Sequence, residues 1–476
     1  MDIAIIGAGA AAVGLLDALD PEAVDSVTVF EPAPLPWRGR PYQPDLDSVL
    51  VNVPPEIMSI RFGDRAHYAR WLERHAPGAH RDERLGQPIP PRAVYGRYLE
   101  DTAEEALARF GRAQVVRAAV ADVSPAERLT LRTVDGRRYA ADRIALCVGG
   151  GTPVDHYGLT GAPGFVANPY PLERTLAEIP PGRDVAVVGA GLTAVDIVVS
   201  LAARGHSGGI SLVSRSGTLP YVWQRPVETA VRHLTPDGVG SLRGPVTLER
   251  LTGLIRTELA EHGEDWDELA ARIAATAAAD PVANLREQLA MVDAPMLGRR
   301  IIQEAAHTAG PVAWRLLPET DRARLRSGLF RTITGLASPM VPRNAAALLD
   351  LFDAGGLRIL PGIEKIEAAG GFRIKHGAGT HTADVVINAV NPPPHAVPRA
   401  AGELVSSLLG QGAARHPHGG LAADPGTGRL LVGGRPDPRL HVVGDLAGGG
   451  PFLTSGIPGV AAQAHRAARS LGATPP

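Results

Sequence analysis

Twice in this chain a short apolar run breaks at a glycine turn and resumes as a small-residue helix. The first copy is Asp2-Ile3-Ala4-Ile5-Ile6, then Gly7-Ala8-Gly9-Ala10-Ala11-Ala12, with a helix expected to about Leu19 and a second strand over Ser26–Phe30. The second is Asp184-Val185-Ala186-Val187-Val188, then Gly189-Ala190-Gly191-Leu192-Thr193-Ala194, with a helix through Leu201 and a strand over Gly209–Val213. Four apolar residues in a row, flanked this way, suit a strand buried on both faces of a parallel sheet. In each G-x-G-x-x-A the first glycine permits the tight turn and the second lets backbone approach a pyrophosphate. The alanine lets the helix pack close to the strand. The helix N-terminus then offers free N–H groups and a positive dipole end to phosphates. Gly7, Gly9 and Ala12, and Gly189, Gly191 and Ala194, are therefore expected to hold two dinucleotides. The fold class that follows is α/β, with two Rossmann-like dinucleotide-binding domains.

The copies differ where the second strand ends. The first ends at Glu31, 24 residues after Gly7, where a carboxylate accepts hydrogen bonds from ribose hydroxyls. The second ends in Ser214-Arg215-Ser216, with Arg215 26 residues after Gly189. An acid there would repel a 2′-phosphate, whereas Arg215 with Ser214 and Ser216 would bind it. The second site thus reads as NADPH rather than NADH.

A further echo marks a duplication. Ala141-Asp142-Arg143-Ile144-Ala145-Leu146-Cys147-Val148-Gly149 resembles Ala383-Asp384-Val385-Val386-Ile387-Asn388-Ala389-Val390-Asn391, each a buried strand closing its half. The span from Gly7 to Asp142 is 135 residues and that from Gly189 to Asp384 is 195, so the second half carries an insertion of 60. From Pro245 to about Leu325 apolar residues recur at helical spacing, and Pro281, Pro295 and Pro311 divide the segment into short helices. The expected layout is a first domain of 1–165 and 380–476, a second of 166–222 and 328–379, and a helical insertion, 223–327, covering the substrate site.

Composition narrows the chemistry. At 476 residues the chain has room for two or three domains. The net charge is −2 and no basic block occurs, which disfavours nucleic acid as a partner. Only two lysines occur, Lys365 and Lys375, neither in a glycine-rich phosphate loop, so a Walker A site is excluded. They flank Gly370-Gly371 in what reads as strand–turn–strand, a poor place for a Schiff-base lysine. One cysteine, Cys147, leaves no redox pair, which excludes a disulfide reductase. His416 and His418 flank Pro417 without supporting acids, so no metal site is expected. Neither a secretory signal nor a run long enough to span a membrane is legible, and the expectation is a soluble, cytoplasmic protein.

Two nucleotide sites in tandem suggest a flavin at one and a nicotinamide donor at the other. The C-terminal part suits the flavin. Leu440–Asp445 reads as a strand ending in Gly444-Asp445, where Asp445 can accept from a ribityl hydroxyl. A glycine-rich turn and a helix from about Thr454 to Leu471 follow. That helix start, near Ser455-Gly456-Ile457, would face the N1–C2=O edge of the flavin and stabilise the reduced ring.

At this point the chain resembles the bacterial FAD/NAD(P)-binding family of two-dinucleotide-binding-domain flavoproteins, related to flavin-dependent, N-hydroxylating monooxygenases. The match rests on Gly7–Ala12, Asn52-Val53-Pro54 with Met58-Ser59, Pro91-Arg92 with Tyr95-Gly96, Gly189–Asp196, Ser214–Ser216, and Gly444-Asp445 with Thr454–Pro458. The resemblance implies FAD and NADPH as cofactors, dioxygen and a small molecule as substrates, and no nucleic-acid or membrane partner. It implies hydride transfer to FAD, oxygen addition at flavin C4a, and oxygen transfer from the hydroperoxyflavin to a nucleophilic atom, with an amine nitrogen as first choice. It also implies that Asn52 acts catalytically by hydrogen-bonding the flavin or its adduct, and that Arg38-Gly39 and Tyr42 border the FAD pyrophosphate. Arg299, Arg300, Arg331 and Arg343, in the insertion and at its exit, are candidate partners for a substrate carboxylate. Two other functions remain open: an NAD(P)H dehydrogenase or reductase without oxygenation, and a nucleotide-binding redox sensor without turnover. Asp196 reads as structural.

Overall fold

The computed structural model describes residues 1–276, 279–377, 379–448 and 456–472, and leaves the side chain of Arg331 undescribed. In chain order, the strands of its two large sheets are β1 (Asp2–Ile6), β2 (Ser26–Phe30), β3 (Ala113–Val116), β4 (Arg143–Leu146), β5 (Phe165–Val166), β6 (Val185–Val188), β7 (Ile210–Ser214), β8 (Leu357–Pro361), β9 (Val385–Asn388), β10 (Arg429–Val432) and β11 (Arg435–Val442). The helices that matter for the site are α1 (Ala10–Ala18), α2 (Arg92–Leu107), α3 (Leu192–Ala203), α4 (Leu248–Glu261), α5 (Gly298–Thr308), α6 (Gly310–Leu316), α7 (Phe330–Ala337), α8 (Pro342–Asp353) and α9 (Ile457–Gly472).

Two sheets follow from the two apolar repeats. The first has the order β10-β11-β4-β1-β2-β3, parallel except for the β10–β11 hairpin. The second, β5-β9-β6-β7-β8, is wholly parallel. Strand β6 is buried at all four residues, as a strand covered on both faces must be. Each half also carries a three-stranded antiparallel sheet immediately before its closing strand. In the second half this places Lys365 opposite Lys375 across the Gly370-Gly371 turn, on adjacent strands as expected.

The duplication extends to single atoms. A Cβ on Gly7 would collide with the carbonyl of Cys147, and one on Gly189 would meet the carbonyl of Ala389 at 3.3 Å. Cys147 and Ala389 are the residues that the sequence echo aligns. Both glycines have positive φ, +95° and +121°. The tight turn and the close approach thus have the same cause in both halves. Cys147 is buried, and desolvation raises its pKa, so it serves packing.

Two expected boundaries need correction. Strand β9 pairs with β6, so the segment from 380 to Asn388 belongs to the second half; the chain rejoins the first sheet only at β10. The insertion also runs past 327. Its neck closes where Val222 bridges Met340, with Trp223 N–H on the Met340 carbonyl (3.0 Å) and Met340 N–H on Tyr221 (2.7 Å). Helix α7 therefore lies inside it. Within the insertion Pro281 and Pro311 sit in first helical turns, where a missing N–H costs nothing.

Helix α9 lies against α1, where a Cβ on Gly14 would already touch Ala464 at 3.3 Å. Its C-terminus is held by Arg143, which donates to the carbonyls of Ser470 (3.0 Å) and Leu471. A cation there also complements the helix dipole. Fully buried His441 hydrogen-bonds the Ser470 hydroxyl at 3.0 Å. Burial, with Arg429 and Arg143 close by, brings its pKa down to about 3.

Candidate functional site

The first glycine turn is folded against its own surroundings. Glu31 accepts from Ala8 N–H (2.8 Å) and Ala33 N–H (2.9 Å), which fixes its carboxylate over the turn. Trp37 N–H bonds the Ala8 carbonyl at 2.7 Å, bringing the next loop down. A Cβ on Gly9 would meet Gly39 Cα at 3.5 Å, and Gly39 itself has φ +56°. Gly9, Gly39, Glu31 and the start of α1, with Ala12 wholly buried behind, therefore converge. Arg38 does not join them, contrary to expectation. Its Nε and Nη2 hold the two Glu100 oxygens on α2 (2.5 and 2.7 Å), and its Nη1 bonds Ala93 O at 3.2 Å. Its charge is matched there.

Helix α2 holds the loop after β2 in place. A Cβ on Gly96 would collide with the Tyr42 carbonyl, which is why glycine follows Tyr95. Tyr95 OH donates to Met58 O (2.8 Å), and Ile60 N–H donates to Tyr98 OH (3.2 Å). Arg61 binds the Asp17 carboxylate through Nε and Nη2. These bonds present Asn52, Val53 and Met58 to one large cavity. Tyr42 lines it too, and burial raises its phenol to about 12. Asn52 has its main-chain oxygen on Trp223 Nε1 at 2.6 Å, while its buried Oδ1 has no partner.

The second glycine turn is open. A Cβ on Gly191 would meet nothing within 4 Å. Ala194 is buried, and Leu192 lines the cavity. Ser214 Oγ accepts from Gly217 N–H (2.9 Å) and Ser216 Oγ from Thr218 N–H (3.4 Å), shaping the turn. Arg215 is exposed on it, and its guanidinium makes no hydrogen bond or ion pair with any described residue.

Asp196 does more than the sequence suggests. It accepts from Arg92 Nη2 (2.7 Å) and Tyr170 OH (2.6 Å), so α2 and α3 are tied across the two halves. Burial raises the Asp196 pKa even though Arg92 and Tyr170 favour its charge. Burial opposes the charge of Arg92, yet the Asp196 carboxylate raises the Arg92 pKa overall.

Gly444 turns at φ +91° beside Ala11, and its N–H donates to Gln463 (2.9 Å). Burial raises the Asp445 pKa, and His395 opposes the shift. The Asp445 carbonyl takes a bond from His395 Nδ1 at 2.7 Å; a carbonyl only accepts, so Nδ1 carries the proton. Gly456, Ile457 and Pro458, at the start of α9, line the cavity. Ser455 and most of the preceding glycine-rich turn lie outside the described residues.

The cavity has a volume of about 1090 Å³, above the ~300–1,000 Å³ of an ordinary ligand pocket. The first half, the second glycine turn and the insertion all face it. Three of the four arginines expected to bind substrate do not. Arg299 donates to Val222 O (2.9 Å) and Gln224 Oε1 (3.1 Å). Arg300 bonds the carbonyls of Arg225, Ala294 and Met296, and Arg343 that of Arg81. Arg299 and Arg300 hold the neck of the insertion together, Arg343 ties the start of α8 to the first half, and all three are absent from the cavity lining. Arg331 lies on α7, and its side chain is outside the described residues.

Residues 4–151 match the FAD-NAD(P)-binding family model. The fold is that of the flavoproteins with two dinucleotide-binding domains. Three solved structures show it across almost the whole chain. One is the FAD-bound cadaverine monooxygenase of desferrioxamine biosynthesis from Erwinia amylovora, at 14% identity and TM-score 0.60, covering 98% of this chain and 94% of that one. The reduced ornithine hydroxylase of Pseudomonas aeruginosa has 15% identity and TM-score 0.58, with 99% and 98% covered. The L-lysine 6-monooxygenase of Pseudomonas syringae has 16% identity and TM-score 0.57, with the same coverage. No curated protein matches the chain by sequence. Among the described residues, no helix is long and apolar enough to cross a membrane.

Proposed function

We propose that the chain is an FAD- and NADPH-dependent monooxygenase that oxygenates a small molecule in this cavity, with an amine nitrogen the favoured target among the atoms it oxidises. The observation that carries the reading is the convergence of Asn52, Leu192 and Ile457 on one cavity. They come from the loop of the first half, the second glycine turn and the start of α9. The fold neighbours, whose names describe oxidation of amines, support the choice of atom.

The residues present fit both cofactors. Gly7, Gly9, Ala12, Gly39 and the N-terminus of α1 form a cradle for a pyrophosphate, with Glu31 placed for a ribose. Asn52 lines the cavity with its buried Oδ1 unpartnered, and the start of α9 borders the same space. Gly189, Gly191 and Ala194 receive the coenzyme, and Arg215 with Ser214 and Ser216 takes its 2′-phosphate. When bound, FAD reduced by NADPH supplies the oxygen-activating chemistry. The chain does the rest. Trp223 holds the Asn52 backbone so that its amide faces inward. Arg92 and Asp196 keep the second turn in register with the first. Apolar side chains around the cavity exclude water.

The test is purification followed by NADPH addition. The protein should be yellow, release FAD on denaturation, and have its flavin reduced faster by NADPH than by NADH. Colourless protein that no added FAD reconstitutes overturns the reading. Oxygen-18 from dioxygen in the product confirms oxygenation, whereas a reduced carrier without labelled product identifies a reductase.

A further inference from the structure

We infer that the substrate of this cavity is a neutral, mainly apolar molecule, not a diamine or a free amino acid. The inference takes the site from the monooxygenase reading, but its argument is the wall that the insertion builds. Helices α4, α5 and α6 present Leu251, Ile255, Ile302, Ala306 and Trp314 to the cavity. Polar side chains on that wall are largely occupied: His307 Nε2 bonds Ala337 O at 2.6 Å, and Thr308 Oγ1 donates to Glu304 O at 2.9 Å. Among the described residues, the insertion places no carboxylate, lysine or arginine on the lining.

Among the described residues, every charged residue that lines the cavity comes from the first half. Arg61 is held by Asp17 and Arg92 by Asp196. Arg65 and Glu56 are exposed, so the one carboxylate on the lining among the described residues faces solvent on the turn Pro55–Ile57. An ammonium drawn to the insertion's wall would lose its water and meet no counter-ion, which buried charge does not tolerate. With Arg299 and Arg300 spent on backbone carbonyls, the described side chains of the insertion give a substrate carboxylate no partner either. An uncharged body with one nucleophilic atom suits the wall, and the volume leaves room for it beside a flavin ring.

The test is calorimetric titration of the purified holoprotein with neutral 4-alkylanilines, from methyl to pentyl, alongside cadaverine and L-ornithine. Affinity should rise about fourfold per added methylene, the equivalent of about 0.8 kcal/mol. Cadaverine and ornithine should give no binding heat. Ala306→Phe, which narrows the wall, should weaken the pentyl compound at least tenfold while flavin content and NADPH-driven flavin reduction persist. Glu56→Gln should leave the series unchanged. A flat series, or cadaverine or ornithine binding more tightly than the anilines, overturns the inference, and so does loss of aniline binding in Glu56→Gln. If Ala306→Phe does not fold, the slope of the wild-type series decides. Failure of flavin binding or reduction in the same samples rejects the monooxygenase reading and leaves that slope to judge the substrate class.

Discussion

The two glycine turns share a backbone and differ in their cover. At the first, Gly9 faces Gly39 across 3.5 Å and Glu31 is pinned by two N–H groups. At the second, Gly191 faces open space and Arg215 stands exposed. One backbone motif thus makes two kinds of site: a covered cradle suited to a ligand kept through many turnovers, and an open one suited to a ligand released each cycle. On the proposed reading these are the flavin and the coenzyme.

The sharpest way to break this comparison is to put one side chain into both turns. Gly9→Val should abolish flavin binding, because its side chain would take the space through which backbone approaches the pyrophosphate. Gly191→Val should fold with its flavin intact and lose coenzyme affinity alone. Flavin content per chain and the NADPH dependence of flavin reduction read the two effects; equal flavin loss in both variants would make the covers irrelevant. Next in size is the tie between the halves. Asp196→Ala leaves Arg92 buried without its carboxylate and should cost about 3–5 kcal/mol, seen as a lower denaturant midpoint. Asp196→Asn keeps the shape and should cost less. An unchanged midpoint in Asp196→Ala would mean that the pair contributes nothing to stability.

Arg215→Ala should cost about 1.5–3 kcal/mol of NADPH binding, on the order of ten- to a hundredfold, and leave NADH nearly unaffected. Arg215→Asp should go further, by repelling the phosphate. The check is kcat/KM for flavin reduction with both coenzymes; an unaltered ratio in Arg215→Asp assigns the phosphate to another residue. The smallest effect near neutral pH is acid lability of the first half. His441, neutral between Arg143, Arg429 and Ser470, has its folded pKa below the unfolded value of 6.5. Its contribution is therefore complete above pH 6.5 and is lost as pH falls below it, by about 1.4 kcal/mol per pH unit. FAD fluorescence should report flavin release at higher pH in wild type than in His441→Gln, if that variant folds; identical release curves would remove His441 as the cause.

What the sequence disclosed was local. Turn, helix and strand sit within thirty residues of each other, and their spacing carries the phosphate chemistry, so both glycine turns were legible. So was the equivalence of Cys147 and Ala389 in the two copies, because duplicated strands keep their order. What stayed hidden depends on packing between distant segments. Arg92 and Asp196 are 104 positions apart, and Trp223 and Asn52 are 171 apart. Nothing in either neighbourhood announces the other. The arginines misled for a related reason. Their type suits a carboxylate, but the irregular neck at 222–225 and 294–296 presents backbone carbonyls that need donors, and Arg299 and Arg300 meet that need. Strand β9 fell on the wrong side of the expected domain boundary because pairing partners, unlike strands, are not written in periodicity.

The place of β11 in the first sheet sets an order of assembly. Its neighbour β4 ends at Leu146, and β11 begins at Arg435, about 290 residues later. A ribosome adding roughly 5–20 residues per second needs some tens of seconds to cover that distance. Throughout it the edge of β4 has no partner, and a bare edge invites pairing with other chains. The second half and the insertion are complete before the first sheet can close. Slow or interrupted synthesis therefore endangers the half that was made first.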